Sequence, residues 1–211
     1  MTENNALLSR FHHEDFAKMQ TRYRANFFNS IGGFKSAVLV GTQSKLGKDN
    51  LAIFSSLMHM GSSPALFGLL IRPNSDVPRH TLANIEETGF YTINNILPSF
   101  LAQAHQTSAK YAEDVSEFEA CGIEKTYSSI FSAPFVKSST IRMGMKWIET
   151  IPIRHNGTAL VIGTVVMAEV PSSVLEHDGM VDSEAAGTIA ASGLEKYHST
   201  RQIARFGYAK P

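Results

Sequence analysis

Short runs of apolar residues separated by turn residues dominate the first half of the chain. Residues 36–42 form one such run, a turn containing Gly47 and Asp49 follows, and 51–58 and 64–72 are two further runs. Apolar runs of this length, bounded by Gly, Asn, Asp or Pro, are typical of strands that are largely buried. The pattern predicts a hairpin followed by a third strand.

The spacing changes between residues 79 and 122. Apolar residues recur there at helical intervals, which predicts short helices at 79–89, 98–114 and 116–122, with a strand at 90–96. These helices interrupt a chain that is otherwise rich in strands.

A second hairpin is predicted between residues 141 and 170. Apolar and polar or small residues alternate strictly from Ile141 to Trp147, an Asn156-Gly157 turn follows, and 159–170 is a continuous apolar run. With six or more strands and a few short helices, the predicted class is α+β dominated by β, with the strands forming a β-barrel. The GxGxxG motif and the regular alternation of strand and long helix that a dinucleotide-binding parallel sheet requires are both missing from the sequence.

Length and composition indicate one domain over residues 1–211, with an N-terminal arm at about 1–25 and a C-terminal tail at about 190–211. The 211 residues include 43% apolar and 18% charged residues, and 19 basic residues balance 19 acidic ones. A balanced charge gives no electrostatic reason to expect nucleic acid or an anionic membrane as a partner. The longest apolar run is too short to span a bilayer.

The single cysteine, Cys121, excludes an internal disulfide and fits a reducing compartment. The first residues lack the continuous apolar stretch of a secretion signal, so we expect a cytoplasmic protein. The histidines are scattered without HExxH or comparable spacing, so no metal site is expected.

The segment from Arg72 to Ile85 carries candidate chemistry. Arg79 and His80 lie at the start of a predicted helix, where the helix dipole disfavours cations unless an anion is present. Arg72 is a third basic residue of this segment. Asn74, Ser75 and Thr81, in the loop and at the helix start, can donate hydrogen bonds to a phosphate. The same residues are equally consistent with a solvated surface loop.

The stretch 50–56 mixes polar residues with apolar ones. A small residue such as Ala52 allows a flat ring to approach the strand backbone, while Asn50, Ser55 and Ser56 can bind polar groups of the same ligand. A planar, phosphorylated heterocycle would use both this strand and the phosphate-binding loop. Alternatively, Ser55 and Ser56 simply end a strand in a turn. His105 on the next predicted helix is, on its own, more typical of a packed residue than of a catalyst.

The motifs together resemble the flavin reductase-like family. They are LVGTQSKLGKDNLAIFSS, GSSPALFGLLIRPNSDVPRHTLANI, YTINNI and AHQTSAKYAEDVSEFEACG, in family order from about Val38 to Gly122. The resemblance favours the flavoredoxin-like branch and implies an FMN-binding split barrel that forms a homodimer.

The resemblance also implies which residues contact the cofactor. They are Asn50, Ala52, Ser55, Ser56, Arg72, Asn74, Ser75, Arg79, His80, Thr81, His105, Ser108 and Lys110.

One departure concerns the electron donor. Many members that use NADH or NADPH carry Gly-Asp-His where this chain has Asn156-Gly157-Thr158, so Thr158 replaces the histidine. The leading interpretation is an FMN-dependent oxidoreductase of the flavin reductase-like kind, for which NADH or NADPH is a candidate donor that the Thr158 departure calls into question. The alternatives are a flavoredoxin-like electron carrier that serves a redox partner protein, and a binding protein that has lost the flavin.

Overall fold

The computed structural model describes residues 8–73, 80–112 and 114–210. The helices are α1 (His13–Lys18), α2 (Thr21–Ile31), α3 (His80–Thr88), α4 (Leu101–Gln106) and α5 (Glu117–Ala120). The strands are β1 (Lys35–Ser36), β2 (Val38–Gln43), β3 (Asp49–Phe54), β4 (Leu57–Ser62), β5 (Ala65–Ile71), β6 (Phe90–Asn95), β7 (Lys125–Thr126), β8 (Phe135–Val136), β9 (Arg142–Ile153), β10 (Thr158–Glu169), β11 (Ile189–Ser192) and β12 (Lys196–Ser199).

Seven strands form the main antiparallel sheet, in the order β3-β2-β6-β9-β10-β5-β4. A three-stranded sheet, β1-β11-β12, and a two-stranded sheet, β7-β8, complete the structure. The prediction of a β-dominated fold with a few short helices is confirmed. The predicted closure into a barrel is not seen, because the edge strands β3 and β4 are not paired with each other in the part of the chain that is described.

The chain bends at Ser55 and Ser56, between the strands that form the two edges of the main sheet. We predicted a single strand over 51–58, but β3 ends at Phe54 and β4 begins at Leu57. The Ser56 hydroxyl donates a hydrogen bond to the Leu70 carbonyl at 2.7 Å. This bond ties the bend to β5, and β4 then pairs with β5 rather than with β3.

The helix predicted over 98–114 is much shorter in the structure. A single 3-10 turn precedes α4, which ends at Gln106, and the Thr107 hydroxyl donates to the Ala104 carbonyl at 2.8 Å. Hydroxyls that bond to the preceding turn compete with regular helix geometry. The described residues after Thr107, up to Ala112, are irregular and continue along the protein surface.

The two termini differ from simple arms. The described part of the predicted N-terminal arm contains α1 and the first residues of α2, and the residues of both helices are all at least partly exposed. The predicted C-terminal tail begins with β11 and β12, and residues 200–210 have no regular secondary structure and are exposed. Among the described residues, no helix is long and apolar enough to cross a membrane.

Two buried clusters hold the main sheet in place. One packs the sheet against α4, α5 and β11 through residues such as Leu39, Leu51 and Phe118. The other lies on β2, β5, β6, β9 and β10 and includes Tyr91 and Met145. Full burial of large apolar side chains of this kind contributes about 1.5 to 3 kcal/mol each.

The predicted hairpin at 141–170 is present as β9 and β10, and β9 is closely packed at Gly144. The Phe131 ring covers Gly144, and a Cβ atom at that position would lie 2.3 Å from the ring. Gly144 is therefore a site of close packing rather than a solvent-facing position.

Candidate functional site

A cleft of about 750 Å³ opens between the main sheet, α3, the segment after α4, and the three-stranded sheet. Its volume lies within the range of about 300 to 1,000 Å³ that is typical of small-molecule sites. The cleft is also where the sequence motifs converge.

Ten of the thirteen predicted cofactor residues line this cleft. They are Asn50, Ala52, Ser55, Ser56, Arg72, His80, Thr81, His105, Ser108 and Lys110. The other three, Asn74, Ser75 and Arg79, lie outside the described residues. Residues separated by up to 60 positions in the sequence are thus gathered around one space.

A buried hydrogen-bond network fixes the wall formed by β3 and α3. Asn50 Nδ2 donates to Thr42 Oγ1 at 3.3 Å and to Thr81 Oγ1 at 3.1 Å, and Asn84 Nδ2 donates to Thr42 Oγ1 at 3.1 Å. All four side chains are buried. The network connects the start of α3 to the strands, so the helix start keeps a fixed position beside the cleft.

The bend between β3 and β4 forms part of the same wall. Ser55 and Ser56 both line the cleft, as the flavin interpretation expects, and they also end β3, as the alternative interpretation expects. The two interpretations are therefore compatible. The Ser56 hydroxyl donates to the Leu70 carbonyl, so its oxygen can still accept a hydrogen bond from a ligand.

The opposite wall carries His105. Its Nδ1 shares a 2.7 Å hydrogen bond with the Tyr197 hydroxyl, and the two rings meet edge to face with centroids 5.7 Å apart. Burial raises the pKa of Tyr197 above its ordinary value. His105 is thus held by a residue 92 positions later in the chain.

Basic side chains outnumber acidic ones around the cleft. Lys35, Arg72 and Lys110 line it together with the imidazoles of His80 and His105, whereas Glu117 is the one carboxylate among the described lining residues. None of the three cations forms an ion pair with an acidic residue in the described part of the chain. An excess of positive charge at a concave site favours an anionic ligand.

Glu117 lines the cleft and is partly buried. Burial raises the pKa of its carboxyl, although the Leu51 backbone N–H donates to Oε2 at 3.0 Å and favours the ionised form. Burial thus disfavours the ionised form of Glu117 relative to a glutamate in water.

Sequence reasoning missed several lining residues. They include Lys35, Tyr111, Glu117, Ala191 and Tyr197. The strand pairing that brings β11 and β12 beside β1 joins segments about 155 residues apart, and no short-range pattern indicates such pairing. Thr158, which was noted only as a departure from a family motif, also lines the cleft.

A second, shallower cavity of about 560 Å³ lies beside α1 and α2, lined by residues such as Arg10 and Tyr23. None of the predicted site residues lies there. No group of three or more His, Cys, Asp or Glu side chains within the described ranges could hold a metal ion.

Comparison with known proteins identifies the family. The model of the flavin reductase like domain matches residues 31–185, which is most of the chain. The chain belongs to the flavin reductase-like family. The resemblance seen in the sequence motifs is thereby confirmed, and the cleft lies mainly within the matched region.

Solved structures of other proteins have a similar fold. A split-barrel protein of Shewanella frigidimarina, described as a flavin reductase, is 46% identical, with a TM-score of 0.91, and the match covers 95% of this chain and 100% of that one. Nitrilotriacetate monooxygenase component B of Bacillus cereus is 21% identical with a TM-score of 0.83, covering 96% and 100% of the two chains. Flavoredoxin of Desulfovibrio vulgaris is 18% identical with a TM-score of 0.71, covering 83% and 92%. The last two likenesses concern the fold alone.

Proposed function

We propose that this flavin reductase-like protein is an FMN-dependent oxidoreductase whose cofactor occupies the cleft. The observation that carries the proposal is the convergence of ten predicted cofactor residues on one cleft with an excess of basic side chains. FMN has the two features that such a cleft suits, a flat ring system and a phosphate.

The residues present fit this cofactor. Ala52 leaves room for a flat ring against the backbone of β3, and the Asn50 side chain is held beside it by Thr42 and Thr81. At the rim, Arg72 and Lys110 are exposed cations without an acidic partner in the described ranges, and they suit a phosphate. The start of α3, at His80 and Thr81, adds the favourable end of a helix dipole.

The protein's contribution to the chemistry is to bind and orient. When bound, FMN supplies the capacity to accept and deliver a hydride or single electrons. The chain holds the ring through β3 and neutralises the phosphate through Arg72 and Lys110. The walls of the cleft limit access of water, and His105 and Tyr197 place a hydrogen-bonding pair within the same space.

Titration of FMN into the protein, followed by flavin fluorescence, tests the proposal. Arg72→Gln is expected to weaken FMN binding about tenfold, since a charge-assisted hydrogen bond contributes about 1.5 to 3 kcal/mol and the site is partly solvated. Arg154→Gln, which removes an exposed arginine from the β9-β10 turn outside the cleft, is the matched control and should change affinity less than twofold. Equal effects of the two substitutions, or no FMN binding by the unmodified protein, would contradict the proposal.

A flavoredoxin-like electron carrier is the second candidate function. Thr158 lines the cleft where nicotinamide-using members are expected to carry histidine, and its hydroxyl donates to Asn156 Oδ1 at 2.7 Å within the turn. His155 is exposed and is not among the described residues that line the cleft. The cleft therefore lacks the imidazole at this position, which favours a redox partner protein as the donor.

The visible absorption spectrum of the FMN-loaded protein, recorded without oxygen, separates the two functions. Rapid bleaching by NADH or NADPH would establish a nicotinamide-driven reductase. Flavin that stays oxidised with both nucleotides but bleaches with dithionite would support the electron carrier.

We also infer that the protein forms a homodimer. Residues 200–210 have no regular secondary structure, and Ile203, Phe206 and Tyr208 are 99%, 88% and 93% exposed. Apolar side chains this exposed in one segment are typical of an interaction surface. Sedimentation of the full chain and of a chain ending at Thr200 tests this inference, with a dimer expected for the first and weaker association for the second.

A further inference from the structure

The three-stranded sheet forms a wall of the cleft to which no cofactor residue was assigned. Its register pairs Lys35 with Ala191, and Ala191 with Tyr197. Side chains at directly paired positions of an antiparallel sheet project from the same face. The row Lys35, Ala191 and Tyr197 therefore lies side by side, and all three residues line the cleft.

Lys35 is the unusual member of this row. Its side chain is half-buried, and Nζ donates to the carbonyl oxygens of Asn29 at 3.1 Å and Gly193 at 3.4 Å. These two acceptors leave one of the three ammonium protons without a partner, and no ion pair within the described ranges involves Lys35. A partly buried cation held in place by neutral groups is more stable when an anion binds it.

The rest of the row suits a flat ligand. Ala191 lines the cleft with a largely buried methyl group, as does Ala37, which directly follows β1, so this part of the wall is apolar. Tyr197 closes one side of the row, and its hydroxyl, which is bonded to His105, retains a lone pair or a proton for a ligand atom. The wall thus combines one cation, an apolar floor and one neutral hydrogen-bonding group.

We propose that Lys35, Ala191 and Tyr197 form a subsite for a second, planar ligand that carries a carboxylate, such as an aromatic acid. The carboxylate binds the Lys35 ammonium, the ring lies over Ala191, and a polar ring substituent reaches Tyr197 and His105. The proposal deepens the proposed function and rests on it in one respect, namely that the cofactor occupies the opposite wall, formed by β3 and α3. The substrate or acceptor of the protein would then be a small anionic aromatic compound.

Calorimetric titration with benzoate and with its neutral analogue benzamide tests the subsite. In FMN-saturated protein at low ionic strength, benzoate should bind about tenfold more tightly than benzamide, which corresponds to one charge-assisted hydrogen bond in a partly solvated site. Lys35→Gln should remove this preference by weakening benzoate alone, and Lys35→Arg should restore part of it because the charge is kept. Tyr197→Phe should weaken both ligands by a smaller, similar factor.

Lys196→Gln is the matched control. Lys196 precedes Tyr197 on β12, so its side chain projects from the opposite face of the same sheet, where it is exposed and outside the cleft lining. The Lys196→Gln substitution removes the same charge from the same three-stranded sheet, and benzoate affinity should change less than twofold.

Several outcomes would overturn the proposal. They are equal affinities of benzoate and benzamide in the unmodified protein, unchanged benzoate binding in Lys35→Gln, or an equal loss in Lys196→Gln. If Lys35→Gln does not fold, the salt dependence of the unmodified protein decides, because only benzoate binding should weaken as salt screens the charge.

The FMN titration keeps this result separate from the proposed function. If the unmodified protein binds FMN but binds benzoate and benzamide equally, or if Lys35→Gln keeps the benzoate preference, the subsite alone is defeated. If the unmodified protein does not bind FMN, the proposed function fails, and the same benzoate and benzamide titrations on the FMN-free protein still decide the subsite.

Discussion

Two polar regions meet at β3, where Asn50 belongs to a buried network and also lines the cleft, and the two regions differ in how their polar groups are paired. In the buried network around Thr42, the amide groups of Asn50 and Asn84 find their acceptors within the chain. In the cleft, Lys35, Arg72 and Lys110 find no acidic partner in the described part of the protein. We infer that the network serves folding, and we propose that a ligand completes the cleft.

The largest effect is expected from breaking the network. Thr42→Val keeps the shape of the side chain but leaves Asn84 Nδ2 without its acceptor and Asn50 Nδ2 with Thr81 alone, which should lower the free energy of unfolding by about 1 to 3 kcal/mol. Urea unfolding measures the loss. Thr126→Val on β7, a half-buried residue whose hydroxyl makes no hydrogen bond to any described residue, is the control and should change stability by less than about 0.5 kcal/mol. A small loss in Thr42→Val would mean that the network is not needed for folding.

Removing a cation from the cleft should weaken FMN binding and leave the stability of the fold unchanged. Lys110→Gln is expected to weaken FMN binding up to about tenfold while leaving the free energy of unfolding unchanged within about 0.5 kcal/mol, because the lysine is exposed and has no acidic partner to lose within the described ranges. FMN titration and urea unfolding of the same variant give both values. A clear loss of stability with normal FMN affinity would reverse the assignment of this residue to the ligand.

Tyr91 on β6 is a buried residue whose hydroxyl takes no part in the described hydrogen-bond network around Thr42. Its hydroxyl is fully buried without a hydrogen-bond partner among the described residues, and burial raises its pKa well above the ordinary value. Tyr91→Phe should therefore leave stability unchanged or raise it by up to about 1 kcal/mol. A loss of more than about 1 kcal/mol in thermal or urea unfolding would indicate that the hydroxyl has a bonding partner, such as a buried water.

The smallest effect is expected at Glu117. Burial raises the pKa of this carboxyl, so the folded state holds its proton more tightly than the unfolded state does. Its contribution to stability is favourable at low pH and is lost as the pH rises through the unfolded and then the folded pKa. Glu117→Gln should therefore raise the melting temperature slightly at pH 7, and this gain should disappear near pH 4. A gain of equal size at both pH values would exclude the charge as its cause.

The sequence predicted several of the local elements, and its assignment of cofactor residues stays a prediction. The strands β2, β5, β6, β9 and β10 and the helix α3 were predicted because each has a regular hydrophobic period and a clear turn or glycine at its end. The bend at Ser55 was missed, since a strand that changes partner has the same local pattern as one that continues. The early end of α4 at Gln106 was also missed, because its spacing remains helical while the Thr107 hydroxyl bonds back to Ala104.

For the candidate site, the sequence alone indicated which residues are expected to contact a phosphate and a flat ring, because those residues cluster in short motifs that resemble one family. Only the tertiary structure decided which of the described residues line one cleft. The cleft is completed by β1, β11 and β12, and the pairings of Lys35 with Ala191 and of His105 with Tyr197 join distant segments. Such contacts depend on strand register and on packing of the whole sheet, which local periodicity does not encode.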